Sequence, residues 1–301
     1  MEIILKTNAI SKVFGSKTAV NAVNMTVERG DIYGFIGKNG AGKTTLMKMA
    51  LGLTTPTSGS YELFGEENSV VQRRRVGSLI EIPVFYKNRT AYENMKRFAI
   101  LCGSTDEEIK EKLEFVGLGD VGKKKTKNFS LGMKQRLGIA MALLGDPKFL
   151  ILDEPVNGLD PEGIKHIRDL ILKLNREKGV TFLVSSHLLD ELSKIATKYG
   201  VIKDGVLVDE ISADELKGKL GTNLKITVSD VEKAVEIIKG LDGISADDVT
   251  VENDVVIVKA ESERSAEIST ALFSGGVIIT GLETVGVGME DYFIEKMGGA
   301  V

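Results

Sequence analysis

The chain has 301 residues, 43% of them hydrophobic and 27% charged, with a formal net charge of −4. That length suits about two domains, and the composition is that of a globular protein. The acidic balance gives no electrostatic case for nucleic acid as a partner, and a single cysteine, Cys102, excludes an internal disulfide framework.

Cys102 fits a reducing compartment, and its simplest role is that of a small half-buried residue. The two histidines are too few for a His-rich metal site. The start Met1-Glu2-Ile3-Ile4-Leu5-Lys6 lacks a basic region followed by a long apolar core, so no signal peptide is expected. A membrane-spanning helix needs ~20 apolar residues. The nearest stretch, Ile268 to Leu282, is broken by Gly275-Gly276 and several Ser and Thr. A membrane process would need another chain to cross the bilayer.

Ile3 to Phe14 and Ala19 to Val27 carry β-type patterning around the turn Gly15-Ser16-Lys17, which predicts a small antiparallel sheet. Asp31 to Ile36 reads as a strand, and Thr45 to Leu51 as the first turns of a helix. Between them lies Gly37-Lys38-Asn39-Gly40-Ala41-Gly42-Lys43-Thr44, which fits the phosphate-binding pattern G-x-x-x-x-G-K-[ST]. Glycines let the backbone curl so that successive N–H groups point inward and make an anion nest. The helix N-terminus, running on into Thr45, adds its positive dipole end. Lys43 would reach the β- and γ-phosphates, and the Thr44 hydroxyl would hold Mg²⁺.

Thr54 to Gly59 is a turn cluster, followed by a short strand from Ser60 to Gly65. Arg73-Arg74-Arg75 is most simply a solvated face; the apolar run Val76 to Ile82 after it ends at Pro83. From Ala91 to about Gly145 the pattern is helical, with Tyr92, Met95, Phe98, Ala99 and Cys102 on one stripe and a helix start at Thr105. Phe149-Leu150-Ile151-Leu152 is a continuous apolar run, the mark of a buried parallel strand, ending in Asp153-Glu154. Two adjacent carboxylates there need a role: Asp153 would organise the Mg²⁺ shell and Glu154 would activate water. Pro161 opens the next helix, Val180 to Ser185 is another buried strand, and Val201 to Val208 reads as a hairpin with an Asp-Gly turn.

Strands alternating with helices imply an open α/β sheet. Gly218 and Gly221 then separate a smaller tail. It reads strand (Leu224 to Val228), helix (Val231 to Leu241), two strands (Val249 to Val251, Val255 to Lys259), a helix from Ser262 and a weaker strand at Val277 to Ile279. That order predicts a compact α+β unit with helices on one face of an antiparallel sheet.

Between the two phosphate-site motifs lies Asn128-Phe129-Ser130-Leu131-Gly132-Met133-Lys134-Gln135-Arg136. With it the chain resembles the ATPase subunit of an ATP-binding cassette (ABC) transporter, whose signature is usually Leu-Ser-Gly-Gly-Gln. Ser130 and Gly132 match; Phe129, Leu131 and Met133 depart. Asn157-Gly158-Leu159-Asp160-Pro161 resembles the D-loop, Ser185-Ser186-His187 the switch segment, and Phe14 sits where the family stacks an aromatic on adenine. The resemblance covers residues 1 to about 215. In place of the Q-loop glutamine stands Glu81, which resembles the subgroup exporting bacitracin and lantibiotics in resistance and immunity.

The resemblance implies a P-loop NTPase fold over residues 1–217, with an antiparallel β subdomain and a helical subdomain at about 88–145, and a separate α+β unit over 222–301. It implies ATP and Mg²⁺ as cofactors. The nucleotide would be held by Phe14, Gly37, Lys38, Asn39, Gly40, Ala41, Gly42, Lys43, Thr44 and Thr45, with Glu81, Ser130, Gly132 and Asp160 also in contact. Thr44, Asp153 and Glu81 would frame the metal, with Glu154 as base and His187 sensing the γ-phosphate. The implied partners are a separate transmembrane permease and a second cassette, identical or similar, closing head to tail on ATP at the inner face of the membrane. Two alternatives stay open. A soluble cassette protein of translation or DNA repair would normally carry two cassettes or a long coiled-coil insertion. A phosphate-loop kinase would lack the signature and the D-loop.

Overall fold

The computed structural model describes residues 2–67, 69–81, 83–220, 222–259, 264–286 and 289–298. The chain divides into two compact units, one reaching Ala213 and the other running from Asp214 to Glu295.

The first unit begins with β1 (Ile3–Phe14), β2 (Lys17–Val23) and β3 (Thr26–Glu28), then β4 (Ile32–Ile36) and α1 (Lys43–Ala50). Next come β5 (Ser58–Leu63), β6 (Glu66–Glu67), α2 (Val70–Arg73) and β7 (Val76–Leu79). Three helices follow: α3 (Ala91–Cys102), α4 (Asp106–Phe115) and α5 (Leu131–Ala142). The unit continues through β8 (Phe149–Asp153), α6 (Pro161–Lys178), β9 (Thr181–Ser186), α7 (Leu189–Ser193), β10 (Lys198–Lys203) and β11 (Val206–Ser212).

Two sheets result. The six-stranded sheet has the order β11-β10-β4-β9-β8-β7, parallel throughout except for the β10/β11 hairpin. The other runs β2-β1-β5-β6, antiparallel, with β3 on β1. Strands β4, β8 and β9 are buried at every position, as expected of parallel strands covered on both faces. Leu46, Met47 and Met49 of α1 share one core with Tyr33, Phe35 and Phe149 of the parallel sheet and Leu5, Val20 and Leu63 of the antiparallel one. The phosphate-loop helix is thereby fixed between both sheets. The Asp204-Gly205 turn adds a clip: the Gly205 amide donates to the Ala41 carbonyl (2.9 Å), and the Asn21 amide donates to the Gly205 carbonyl (2.8 Å).

Helices α3, α4 and α5 start at side-chain caps, Thr90, Thr105 and Ser130, which satisfy otherwise orphaned amides. The stripe expected on α3 is shifted. Ala91, Asn94, Met95 and Ala99 are buried, while Phe98 and Cys102 are exposed. Asn94 takes the centre of the stripe because its side chain binds the backbone of Tyr86 and Thr90, tying down the incoming loop. Cys102 is therefore a surface thiol rather than a half-buried one.

The second unit contains most of α8 (Ala213–Lys219), which includes Gly218, so that glycine is helical rather than a spacer. Gly221 and Ser262 lie outside the described residues. After α8 come β12 (Thr222–Val228), α9 (Val231–Lys239), β13 (Val249–Glu252), β14 (Val255–Lys259), α10 (Ser265–Ser274), β15 (Ile279–Gly286) and α11 (Met289–Lys296). The sheet order β13-β14-β12-β15, antiparallel throughout, is a split βαβ arrangement. Leu224 and Ile226 of β12 and Val256 and Val258 of β14 form one core with Ala234 and Ile238 of α9 and Ile268 and Leu272 of α10. The last strand is longer and later than the Val277 to Ile279 run suggested. Val277 instead lies in the turn that closes α10, its amide donating to Leu272 O after Gly276 turns left-handed at φ +75°.

Candidate functional site

Parallel register sets the site. Ile36 lies abreast of Ser186, and Asp153 abreast of Ser185, so β4, β8 and β9 end at one level. Open α/β sheets bind ligands at such carboxyl ends. Gly42 sits at φ +112°, and a Cβ there would lie 2.4 Å from the Ala19 carbonyl oxygen, so only glycine fits the turn into α1.

Lys43, almost fully buried, points back across the loop. Its Nζ donates to Gly37 O (2.5 Å) and Lys38 O (3.4 Å) and lies 3.6 Å from Glu154 Oε1. The Thr44 hydroxyl donates to Asp153 Oδ2 at 2.7 Å. Asp153 Oδ1 accepts from the Ser185 hydroxyl at 2.6 Å, and that same hydroxyl accepts from the Glu154 amide at 2.9 Å. Glu154 has a left-handed backbone, φ +50°, which costs a non-glycine residue about 1–2 kcal/mol. The turn aims its side chain at His187, whose Nδ1 is 2.6 Å from Glu154 Oε2. An ionised carboxylate only accepts, so His187 Nδ1 carries the proton in that pair. Just beyond, the Leu188 amide donates to Ser186 Oγ (2.9 Å), closing the turn that presents His187.

Lys43, Thr44, Asp153 and Glu154 border a cleft of about 290 Å³ that is also lined by Phe14, Lys17, Ala19, Lys38, Asn39, Gly40, Gly42 and Thr45. Phe14 is half exposed there, with the Lys12 ammonium 5.0 Å from its ring centre. Gly37 begins the loop, and Ala41 is buried behind it. The oxygens of Thr44 and Asp153 are hard donors, and no cluster of three or more His, Cys, Asp or Glu that could cage a metal occurs among the described residues. That sparse set suits Mg²⁺, which keeps several waters and is shared with substrate phosphates.

Four expected residues are elsewhere. Glu81, left-handed at φ +59° and largely exposed, pairs with Lys48 at 2.6 Å and does not line the cleft. Its place at the metal beside Thr44 and Asp153 is not what this conformation holds. Ser130, Gly132 and Asp160 line a second cleft of about 430 Å³ with His166 and no phosphate-loop residue. There Ser130 caps α5 and Asp160 caps α6, accepting from Met133 N (3.2 Å) and Gly163 N (3.1 Å). Two contributors escape motif reading. Ser185 was visible only as part of the switch segment, although a serine in an otherwise apolar buried strand was a usable signal. Lys48 carries no sequence signal, because its partner arrives from another element.

The ABC transporter family profile matches residues 20–157. The bacitracin transport ATP-binding protein BcrA of Bacillus licheniformis is 42% identical over 304 residues, covering 99% of both chains. This chain belongs to the ATP-binding subunits of ABC transporters. The lantibiotic transport ATP-binding protein SrtF of Streptococcus pyogenes is 46% identical over 211 residues, 70% of this ABC subunit and 92% of its own length. Among solved structures, cbiO1 of Clostridium perfringens, part of the cbiONQ transporter complex, has a TM-score of 0.67 at 25% identity over 73% of this chain and 92% of its own. The ADP conformation of another transporter cassette gives 0.65 at 26% identity, over 71% and 93%. As an ABC ATPase subunit the chain binds nucleotide and couples ATP hydrolysis to transport with a membrane permease. The soluble-cassette and kinase alternatives fall away.

Proposed function

We propose that this subunit powers an exporter of antimicrobial peptides such as bacitracin or lantibiotics, giving resistance or immunity. It binds ATP with Mg²⁺, pairs with a second cassette, identical or similar, and sits at the cytoplasmic face of the membrane against its permease. No described helix is long and apolar enough to cross a membrane, so the pathway belongs to that other chain. The peptide class rests on the names of the relatives, one of which matches along the full length.

The observation that carries the hydrolytic part is the gathering of Lys43, Thr44, Asp153, Glu154 and His187 at one set of strand ends. Bound Mg²⁺, held by Thr44 and Asp153, would neutralise charge developing on the phosphates. Glu154 takes a proton from the attacking water, and His187 keeps that carboxylate oriented. Lys43 moves from the loop carbonyls to phosphate oxygens, a stronger charge-assisted bond. Ser130 and Gly132 line a separate cleft, so they serve the nucleotide of a second cassette.

The test is resistance in a sensitive host carrying the chain with its permease. The wild type raises the inhibitory peptide concentration, and Glu154→Gln does not. Equal resistance with both would refute the proposal, and resistance to neither peptide class would remove the substrate assignment.

A further inference from the structure

Three residues of β9 carry buried hydroxyls: Thr181, Ser185 and Ser186. Buried hydroxyls need partners, and the partners distinguish the three. Thr181, at the far end from the cleft, accepts from the Gly30 amide (2.9 Å) and closes the turn before β4. Ser186 bonds within its own turn, to Leu188. Ser185 reaches across to the end of β8 and holds its last residue, Asp153, and the residue after it, Glu154.

The polarity of that bridge is forced. A serine hydroxyl has one proton and two lone pairs. The Glu154 amide is a donor, so Ser185 Oγ accepts from it and its own proton goes to Asp153 Oδ1. Asp153 is then gripped from both ends, by Ser185 on one oxygen and Thr44 on the other. The same oxygen pins the amide of a residue in a left-handed backbone, φ +50°, that strand geometry disfavours. Without that bond Glu154 could relax toward an extended conformation, which would carry its carboxylate off the His187 and Lys43 line. Ser185 itself is fully buried and faces the cleft with no atom, so it cannot touch substrate.

We infer that Ser185 is a positioning residue that ties the metal-side carboxylate Asp153 to the hydrolytic carboxylate Glu154, so that both are set by one hydroxyl. This rests on the roles proposed above for Asp153 and Glu154. The bridge makes the two functions fail together: removing the hydroxyl loosens Mg²⁺ binding and slows turnover while sparing recognition of the nucleotide.

The experiment compares Ser185→Ala, Ser185→Thr and Thr181→Val in the full chain. Melting temperature, ATP affinity, the Mg²⁺ concentration for half-maximal nucleotide-induced stabilisation, kcat and KM are measured on each. Ser185→Ala is expected to lower kcat by about tenfold to a hundredfold, the loss typical of a buried charge-assisted bond. It should raise the Mg²⁺ requirement severalfold, with Mg²⁺-free ATP affinity and KM unchanged. Ser185→Thr keeps the hydroxyl and should restore most of both. Thr181→Val deletes an equally buried hydroxyl on the same strand and should cost only melting temperature.

Ser185→Ala with wild-type kcat and Mg²⁺ requirement would overturn the inference. So would Thr181→Val losing kcat to the same extent, because the effect would then be strand packing. If Glu154→Gln hydrolyses ATP like the wild type, the reading of Glu154 itself has failed. If Glu154→Gln is inactive while Ser185→Ala is normal, only the role of Ser185 is lost.

Discussion

The first unit holds two clefts built from different materials. The phosphate-loop cleft is closed on itself: Lys43, Thr44, Asp153 and Glu154 bond to one another or to nearby backbone across three strand ends. In the other cleft Ser130 and Asp160 spend their side-chain oxygens on helix caps, and Gly132 offers only backbone. On the function proposed above the first supplies charge, base and metal donors; the other is a rim of helix N-termini with no lysine in its lining. Helix N-termini attract anions. The difference teaches that one chain carries two separate clefts, which on the function proposed above are a binding half and a clamping half that meet when two cassettes meet.

The sharpest way to break that division is Glu154→Gln. It should lower ATP turnover by about a thousandfold while leaving ATP binding intact, since an amide cannot take a proton from water. Gel filtration in Mg-ATP should show the mutant more dimeric than the wild type. A mutant with normal turnover would put the base outside the first cleft.

Ser130→Asp probes the second cleft alone. Aspartate caps a helix as well as serine does, so α5 keeps its start. The added negative charge would face the phosphates of a partner's nucleotide, where a unit charge at ~4 Å is worth about 4 kcal/mol at an intermediate dielectric. Turnover should fall about a hundredfold, with ATP affinity of the dilute monomer unchanged. Weakened monomer binding, read by fluorescent-nucleotide titration, would mean that the two clefts are not separate.

Glu81→Gln sits between the two halves in effect. Its ion pair with Lys48 is largely exposed, so water screens it and it contributes about 0.2–1 kcal/mol. Steady-state ATPase should stay within about tenfold, ~1.4 kcal/mol in barrier. Peptide resistance in cells should fall further than ATPase if the residue serves coupling. Hydrolysis as low as in Glu154→Gln would make Glu81 catalytic.

The smallest effect is expected from deleting the chain from Leu224 onward, which removes the second sheet and its core. ATP affinity of the shortened protein should match the full chain within about twofold, because no cleft residue is lost. A folded truncation unable to bind ATP would place part of the nucleotide site in the second unit.

Much of the reaction cleft was legible in the sequence because its logic is local. A glycine-rich loop between strand and helix, and an apolar run ending in two carboxylates, each declare their chemistry within ten residues. What escaped depends on register between distant segments. The task of Ser185 exists only because β9 lies beside β8 with Asp153 abreast, and the diversion of Glu81 exists only because Lys48 stands one turn beyond Thr44 on α1. In the second unit, β15 was misplaced because it is an edge strand with weak alternation, Thr280-Gly281-Leu282-Glu283-Thr284, and owes its state to pairing with β12. The stripe on α3 erred at Phe98 and Cys102 because periodicity could not foresee a buried asparagine doing a loop's hydrogen bonding.

The clip between Gly205 and Ala41 sets a timetable for synthesis. The ribosome makes the phosphate loop early, but the amide that fixes its Ala41 carbonyl emerges only after β8, β9 and β10. Closing such a long chain segment is entropically costly until the intervening strands have paired. The nascent loop is therefore expected to stay open, unable to draw stability from cellular ATP, until nearly the whole first unit has left the exit tunnel. Ribosome-bound chains halted with Lys198 still inside should be proteolysed at the same rate with and without ATP, whereas chains exposing Ser212 should gain ATP-dependent protection. Protection of the shorter chains would show that the loop matures without its clip.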